Sequence, residues 1–264
     1  MGENPTVASA DLHFWEEPVI SGTNGSGAVF FSGCSMNCIF CQNQEISQTN
    51  NKGKIITANK LADVFKMLYE KNAHNINLVT ATHFIPSVVK ALNIYKPPIP
   101  IIYNCGGYEN IDSLKMLDGL IDVYLPDFKY ADDDLAEKFS GVKNYTQIAL
   151  NAIKEMKKQQ AKNVYNNDLI EKGVIIRHLI LPLHTKNSID VLNIINENFT
   201  DTPVSLMAQY TPVGTKIEKY PELTRPITKR ELEKVQNHML SLNMDGYFQS
   251  RKAKGSKYIP NFNF

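Results

Sequence analysis

Six short apolar runs, each followed by a segment of helical periodicity, constrain this chain more than any other feature. The runs span 28–32, 75–79, 99–103, 121–125, 173–181 and 203–208. The first helical pattern places Leu61, Val64, Phe65, Leu68 and Tyr69 on one face behind Thr57, an N-cap. Further patterns cover 86–95, 111–120, 145–158, 188–199 and 228–242, the last opened by the capping box Thr228-Lys-Arg-Glu231. Strands that alternate with helices specify a parallel sheet with right-handed crossovers, and chemistry on such sheets collects at the carboxyl ends of the strands. The expected fold class is α/β, a partial (β/α)6 parallel barrel over 28–242. Residues 1–27 read as a turn-rich lead-in and 243–264 as a C-terminal tail.

A length of 264 residues suits one α/β barrel domain. With 43% hydrophobic and 21% charged residues the chain can fill a core, which excludes the disordered and fibrous classes. A net charge of +1 gives no field to draw it onto nucleic acid or acidic lipid. No apolar run approaches the roughly 18 residues of a membrane span, and the first 27 residues lack the plan of a signal peptide. The expected location is cytoplasmic, with neither a nucleic-acid nor a membrane partner; oligomeric state is not legible.

The first strand empties into a loop that holds three of the four cysteines, Cys34, Cys38 and Cys41. Thiolates are ligands for soft metals and iron-sulfur clusters. Structural zinc commonly takes two separated pairs of ligands, and Cys105 stands alone. A redox Cys-x-x-Cys over Cys38 and Cys41 leaves Cys34 without a role. The ends of the later strands are also polar: Thr80-Ala-Thr82-His83, Asn104-Cys105, Asp127-Phe-Lys129, Arg177-His178 and Gln209. Taken singly, Asp127 with Lys129 reads equally as a surface pair, His178 as a satisfied core histidine, and Cys105 as a small buried hydrophobe.

The pattern Cys34-x3-Cys38-x-Phe40-Cys41 straight after a first strand resembles the radical S-adenosylmethionine (radical SAM) enzymes. His13-Phe-Trp-Glu-Glu-Pro18, Tyr124-Leu-Pro-Asp-Phe-Lys129, Arg177-His178-Leu-Ile-Leu-Pro182 and Met207-Ala-Gln-Tyr210 narrow the resemblance to uncharacterised relatives of the pyruvate formate-lyase activating enzyme. The resemblance implies a barrel of radical SAM type in which Cys34, Cys38 and Cys41 hold a [4Fe-4S] cluster. It implies that SAM chelates the fourth iron and that an electron donor such as flavodoxin or ferredoxin supplies the electron for its cleavage. The resulting 5'-deoxyadenosyl radical would abstract hydrogen from a substrate, by analogy a protein or peptide as in glycyl-radical enzyme activation. Phe40, Asp127, Lys129 and Arg177 then fall to the SAM site. The chain departs from the pattern after strand two, where Thr80, Thr82 and His83 replace a Gly-Gly-Glu, and after strand three, where Asn104 stands near a usual aspartate. Longer members of the group also carry a cysteine-containing segment ahead of the His13 region.

Two other readings compete: the same radical chemistry on a small molecule or RNA, and a non-catalytic binding module stabilised by zinc. The long, proline-broken connection 210–227 leaves from the cysteine rim and is expected to be a mobile lid. The basic and aromatic run from Arg251 to Phe264 reads as a solvated tail.

Overall fold

The alternating runs become a curved, mainly parallel sheet. The computed structural model describes residues 3–48, 52–213 and 215–248. Its strands are β1 (Thr6–His13), β2 (Ser26–Phe31), β3 (Lys54–Ile55), β4 (Ile76–Val79), β5 (Ile101–Cys105), β6 (Val123–Pro126), β7 (Val164–Asn166), β8 (Leu169–Val174), β9 (Ile176–Leu179), β10 (Val204–Met207) and β11 (Gly246–Phe248). Strands β2, β4, β5, β6 and β8 pair side by side, all parallel. Strands β9, β10 and β11 make a second parallel group. Strand β6 joins them, bonding β8 through Val123 and Tyr124 and then reaching β9 through a parallel bridge between Asp127 and Arg177. This is the α/β partial barrel that the alternation predicts.

Side chains alternate across each strand. Register puts Asn77, Ile102 and Val123 on one face, and one step further Val79, Asn104 and Leu125. Ile20, Ile102, Val123, Leu125, Ile170 and Ile175 form an apolar cluster on this inner face. The opposite face turns to the helices: the Tyr124 hydroxyl bonds Gln159 of helix Tyr145–Gln159. The large core cluster lies there, with Tyr103, Leu78 and Ile176 beside helix residues such as Leu61, Ile153 and Val235.

Several expectations change. The lead-in is not turns alone, for β1 pairs antiparallel with β2 and a short helix, Pro18–Ser21, follows. Strand five is two strands: β8 closes a hairpin with β7 before running parallel to β6, and the chain re-aims at Ile175 so that Arg177 aligns with Ser205 of β10. The helix expected over 111–120 is regular only at Ile111–Lys115. Part of the tail is strand β11; the run from Arg251 to Phe264 lies outside the described residues. No helix among the described residues is long and apolar enough to cross a membrane.

Candidate active site at the carboxyl rim

The cysteine loop leaves β2 and is pinned from two sides. Asn37 N donates to Ser140 O and Ile39 N to Phe139 O, each at 2.9 Å, so the loop rests on the C-terminal end of helix Asp133–Ser140. That helix stops at Gly141, whose φ of +66° is the left-handed cap glycine adopts without strain. On the other side Gln44 and Gln48 donate their amides to Ile39 O (2.7 Å) and Cys38 O (3.1 Å). Phe40 is buried against Tyr210, ring centroids 6.2 Å apart.

Each thiol sulfur accepts one hydrogen bond: Cys34 from Met36 N at 3.4 Å, Cys38 from the Ser140 hydroxyl at 3.0 Å, Cys41 from the Ser47 hydroxyl at 3.4 Å. Burial pushes Cys38 up to about 12 and raises Cys34; Lys129 pulls both back. No three His, Cys, Asp or Glu side chains among the described residues converge on a point one ion could fill. The trio falls one ligand short of the four that a structural zinc takes. It fits a polynuclear cluster, which takes each thiolate at a separate iron and accepts hydrogen bonds at the sulfurs.

Lys129 and Asp127 form an ion pair beside this loop, both largely buried. Burial raises Asp127, but Arg177 and Lys129 outweigh it and hold the carboxyl below its ordinary range. The turn is locked by Tyr145, whose hydroxyl accepts from Lys129 N at 2.9 Å and lies 2.9 and 3.0 Å from Gly106 O and Asp127 O. Gly107, at φ +80°, permits this approach, because a Cβ there would fall 2.1 Å from Asp127 O.

Beneath the rim lies a charged network. Arg177 Nε reaches Asp127 Oδ1 at 2.9 Å, Nη1 reaches Glu16 Oε2 at 3.4 Å and Nη2 reaches Asn104 Oδ1 at 2.5 Å. Glu16 Oε1 accepts from Asn77 Nδ2 at 3.1 Å and from Asn104 Nδ2 at 3.4 Å. Burial raises the carboxyls of Glu16 and Glu17, and Arg177 opposes it. The lead-in thus sends a glutamate into the lumen, and all three Arg177 nitrogens have protein partners. The sequence signal was two glutamates followed by a proline in a segment read as a turn-rich lead-in.

The residues after β4 and β5 meet on the other side of the rim. Thr82 Oγ1 and the Tyr103 hydroxyl each donate to Glu109 at 2.8 Å. Glu109 is 4% exposed, and burial pushes its carboxyl up to about 7 against those two donors and the Cys105 thiol. Its charge acts on Cys34. Sequence reasoning passed over Glu109, although it follows Gly106-Gly107 in the loop after β5. Thr80 takes φ +60°, rare for a β-branched residue, and donates its N–H to Asn104 O. His83 Nε2 lies 2.8 Å from Ser32 O, next to the cysteine loop. Cys105 and His178 face the helices. Cys105 is buried, and His178 is satisfied by Phe128 O at 2.8 Å and Ser188 Oγ at 2.9 Å.

The connection after β10 holds two 3-10 turns, Thr215–Lys219 and Pro221–Leu223. Leu223 and Ile227 are fully buried, Tyr210 donates to Leu223 O at 2.7 Å, and Glu222 pairs with Lys138 at 2.6 Å. It is seated beside the cysteine loop, through the Tyr210 contact with Phe40 and that of Tyr220 with Phe139.

Residues 28–190 match the family model described as the radical SAM superfamily, more than half of the chain, and the chain belongs to that superfamily. Over 245 residues it is 31% identical to the uncharacterized protein MJ0674 of Methanocaldococcus jannaschii, covering 89% of this chain and 67% of that one. The fold is similar to that of SuiB from Streptococcus suis (TM-score 0.54, 12% identity, 88% of this chain and 48% of that one). It is also similar to methylornithine synthase (0.55, 16%, 82% and 68%) and to spore photoproduct lyase (0.56, 10%, 83% and 74%). The chain thus spans about half the length of SuiB. The family uses a [4Fe-4S] cluster and SAM, and its members need an electron donor.

Proposed function

We propose that Cys34, Cys38 and Cys41 hold the [4Fe-4S] cluster and that SAM binds between this loop and the carboxyl ends of β4, β5 and β6. The observation that carries the reading is the cysteine trio itself: three sulfurs on one loop after β2, each with its own hydrogen-bond donor, with Lys129 acting on Cys34 and Cys38. When bound, the cluster supplies one electron to SAM, whose cleavage gives methionine and the hydrogen-abstracting 5'-deoxyadenosyl radical.

The chain's own residues divide the remaining work. Lys129 and Asp127 offer both charge signs at the rim, for a ligand that carries a carboxylate, hydroxyls and a sulfonium. Glu109 is the buried carboxyl on the Cys34 side, and an ammonium group beside it would favour its ionised form; Thr82 orients it. Thr80, His83 and Asn104 shape the backbone of this wall, and Phe40 closes the loop against Tyr210. Arg177 acts by holding Asp127 and Asn104 in place rather than by gripping a carboxylate of SAM.

For the substrate we favour a protein or peptide, on the resemblance to activating enzymes and with an electron donor of the flavodoxin or ferredoxin kind. Fold alone does not choose, since SuiB has been crystallised with a precursor peptide while the other two similar structures are named for other chemistry. Iron and sulfide analysis after anaerobic reconstitution tests the site. About four of each per chain is expected; one zinc per chain would favour the binding-module reading. Glu109→Gln should weaken SAM binding by at least tenfold, and Thr80→Ala should change it by less than threefold; the reverse order would move the ammonium site elsewhere.

A further inference from the structure

Among the three sulfurs Cys38 has the shortest hydrogen bond, and its donor is itself the end of a buried relay. Ser140 Oγ lies 3.0 Å from Cys38 Sγ and 2.6 Å from the Tyr130 hydroxyl, and Ser140 and Tyr130 are both fully buried. A hydroxyl has one hydrogen to give. Once Cys38 is metal-bound it has no proton to donate, so the hydrogens run one way, from Tyr130 to Ser140 and from Ser140 to the sulfur.

We propose that this Tyr130–Ser140 relay sets the reduction potential of the cluster through Cys38, with Ser140 as a positioning residue that touches the ligand and not the iron. The inference rests on the cluster reading above. A donor at a cysteinyl sulfur draws off electron density and stabilises the more negative, reduced state. The couple concerned takes up one electron from an external reductant with no bond made or broken, and both hydroxyl protons stay where they are. Tyr130 strengthens the Ser140 donor by polarising it. Two features isolate the effect. The backbone bonds from Asn37 N to Ser140 O and from Ile39 N to Phe139 O persist when the serine side chain is shortened to alanine, so the loop keeps its seat. The corresponding donor at Cys41, Ser47, is longer at 3.4 Å and lies on the loop's own side.

The test is an anaerobic potentiometric titration of the reconstituted full chain with dithionite, read by the electron paramagnetic resonance signal of the reduced cluster. Ser140→Ala should move the midpoint to a more negative potential. Tyr130→Phe should move it the same way by less, and the double variant should match Ser140→Ala, because Tyr130 acts only through Ser140. The double variant also removes both buried hydroxyls together, so the measurement survives if Ser140→Ala alone fails to fold. An unchanged or more positive midpoint in Ser140→Ala, or in the double variant, would overturn the inference. So would Tyr130→Phe adding its full shift to that of Ser140→Ala. Absence of a reduced-cluster signal in the unsubstituted chain would overturn the cluster reading itself, and the inference with it.

Discussion

Glu109 and His178 are buried ionisable residues that burial moves in opposite directions, and their signs predict how the metal-free chain responds to pH. Glu109 is raised from an ordinary 4.5 to about 7, so the folded chain keeps a proton that the unfolded chain has released. The stability this gives is full below about pH 4.5 and is lost as pH rises through about 7, a swing on the order of 3 kcal/mol. His178 is lowered from 6.5 to about 4 by burial; its contribution is full above 6.5 and is lost as pH falls towards 4. The two oppose each other over the acidic window and only Glu109 acts above it. Thermal unfolding of Glu109→Gln should therefore show a melting-temperature gain over the parent that grows from about pH 5 to about pH 8; a gain independent of pH would assign the difference to packing. Thr80 makes a second residue-scale case. A left-handed β-branched residue costs about 1–2 kcal/mol and an added glycine loses about 0.5–1 kcal/mol of unfolded-state entropy, so Thr80→Gly should stabilise by roughly 0.5–1 kcal/mol in urea unfolding. Net destabilisation would mean that the threonine side chain makes good the strain.

At the scale of elements the site depends on how loops seat on helix ends, and this is where sequence was least informative. Short apolar runs and helical patterns located the parallel strands from β2 to β10, with β8 and β9 merged, and most helices, because burial leaves a regular trace. Strands β1 and β7 left none: β1 carries Asp11 and His13 among its apolar residues and pairs only through β2 and β3, and β7 is three exposed residues. The cysteine loop was legible because thiol spacing is local chemistry. Ser140, Tyr130 and Tyr145 were not, since each works across more than a turn of chain that only the fold brings together. Tyr145 shows the consequence: its hydroxyl holds Gly106, Asp127 and Lys129 in register while its ring packs edge-on against Tyr130. Gly107→Ala should collapse this seat, because the new Cβ would strike Asp127 O and any relief must displace Lys129 or the β5 loop. We expect loss of more than 3 kcal/mol of stability or no folded chain at all; a soluble Gly107→Ala protein with unchanged urea midpoint would show that the loop has an alternative path.

Across the whole molecule, two polar layers stack inside one barrel. The lower layer, Glu16 with Asn77, Asn104 and Arg177, is closed by the segment that follows β1, from the end opposite the cysteines. The upper layer, Asp127 with Lys129, lies beside the cysteine loop, and Glu109 sits behind it against Thr82 and Tyr103. Asp127 belongs to both, which couples occupancy of the rim to the packing of the lumen: Arg177→Met should cost about 3–5 kcal/mol by stranding buried carboxylates, well beyond any change in SAM contacts. The role proposed for the cysteine trio is to support reductive cleavage of SAM. The most direct measurement is 5'-deoxyadenosine formed by the anaerobically reconstituted chain with SAM and dithionite. The parent and Cys105→Ala should both produce it, while Cys34→Ala, Cys38→Ala and Cys41→Ala should each produce none above background. Product formation by any of those three variants, or none by a parent carrying its full complement of iron and sulfide, would contradict the account.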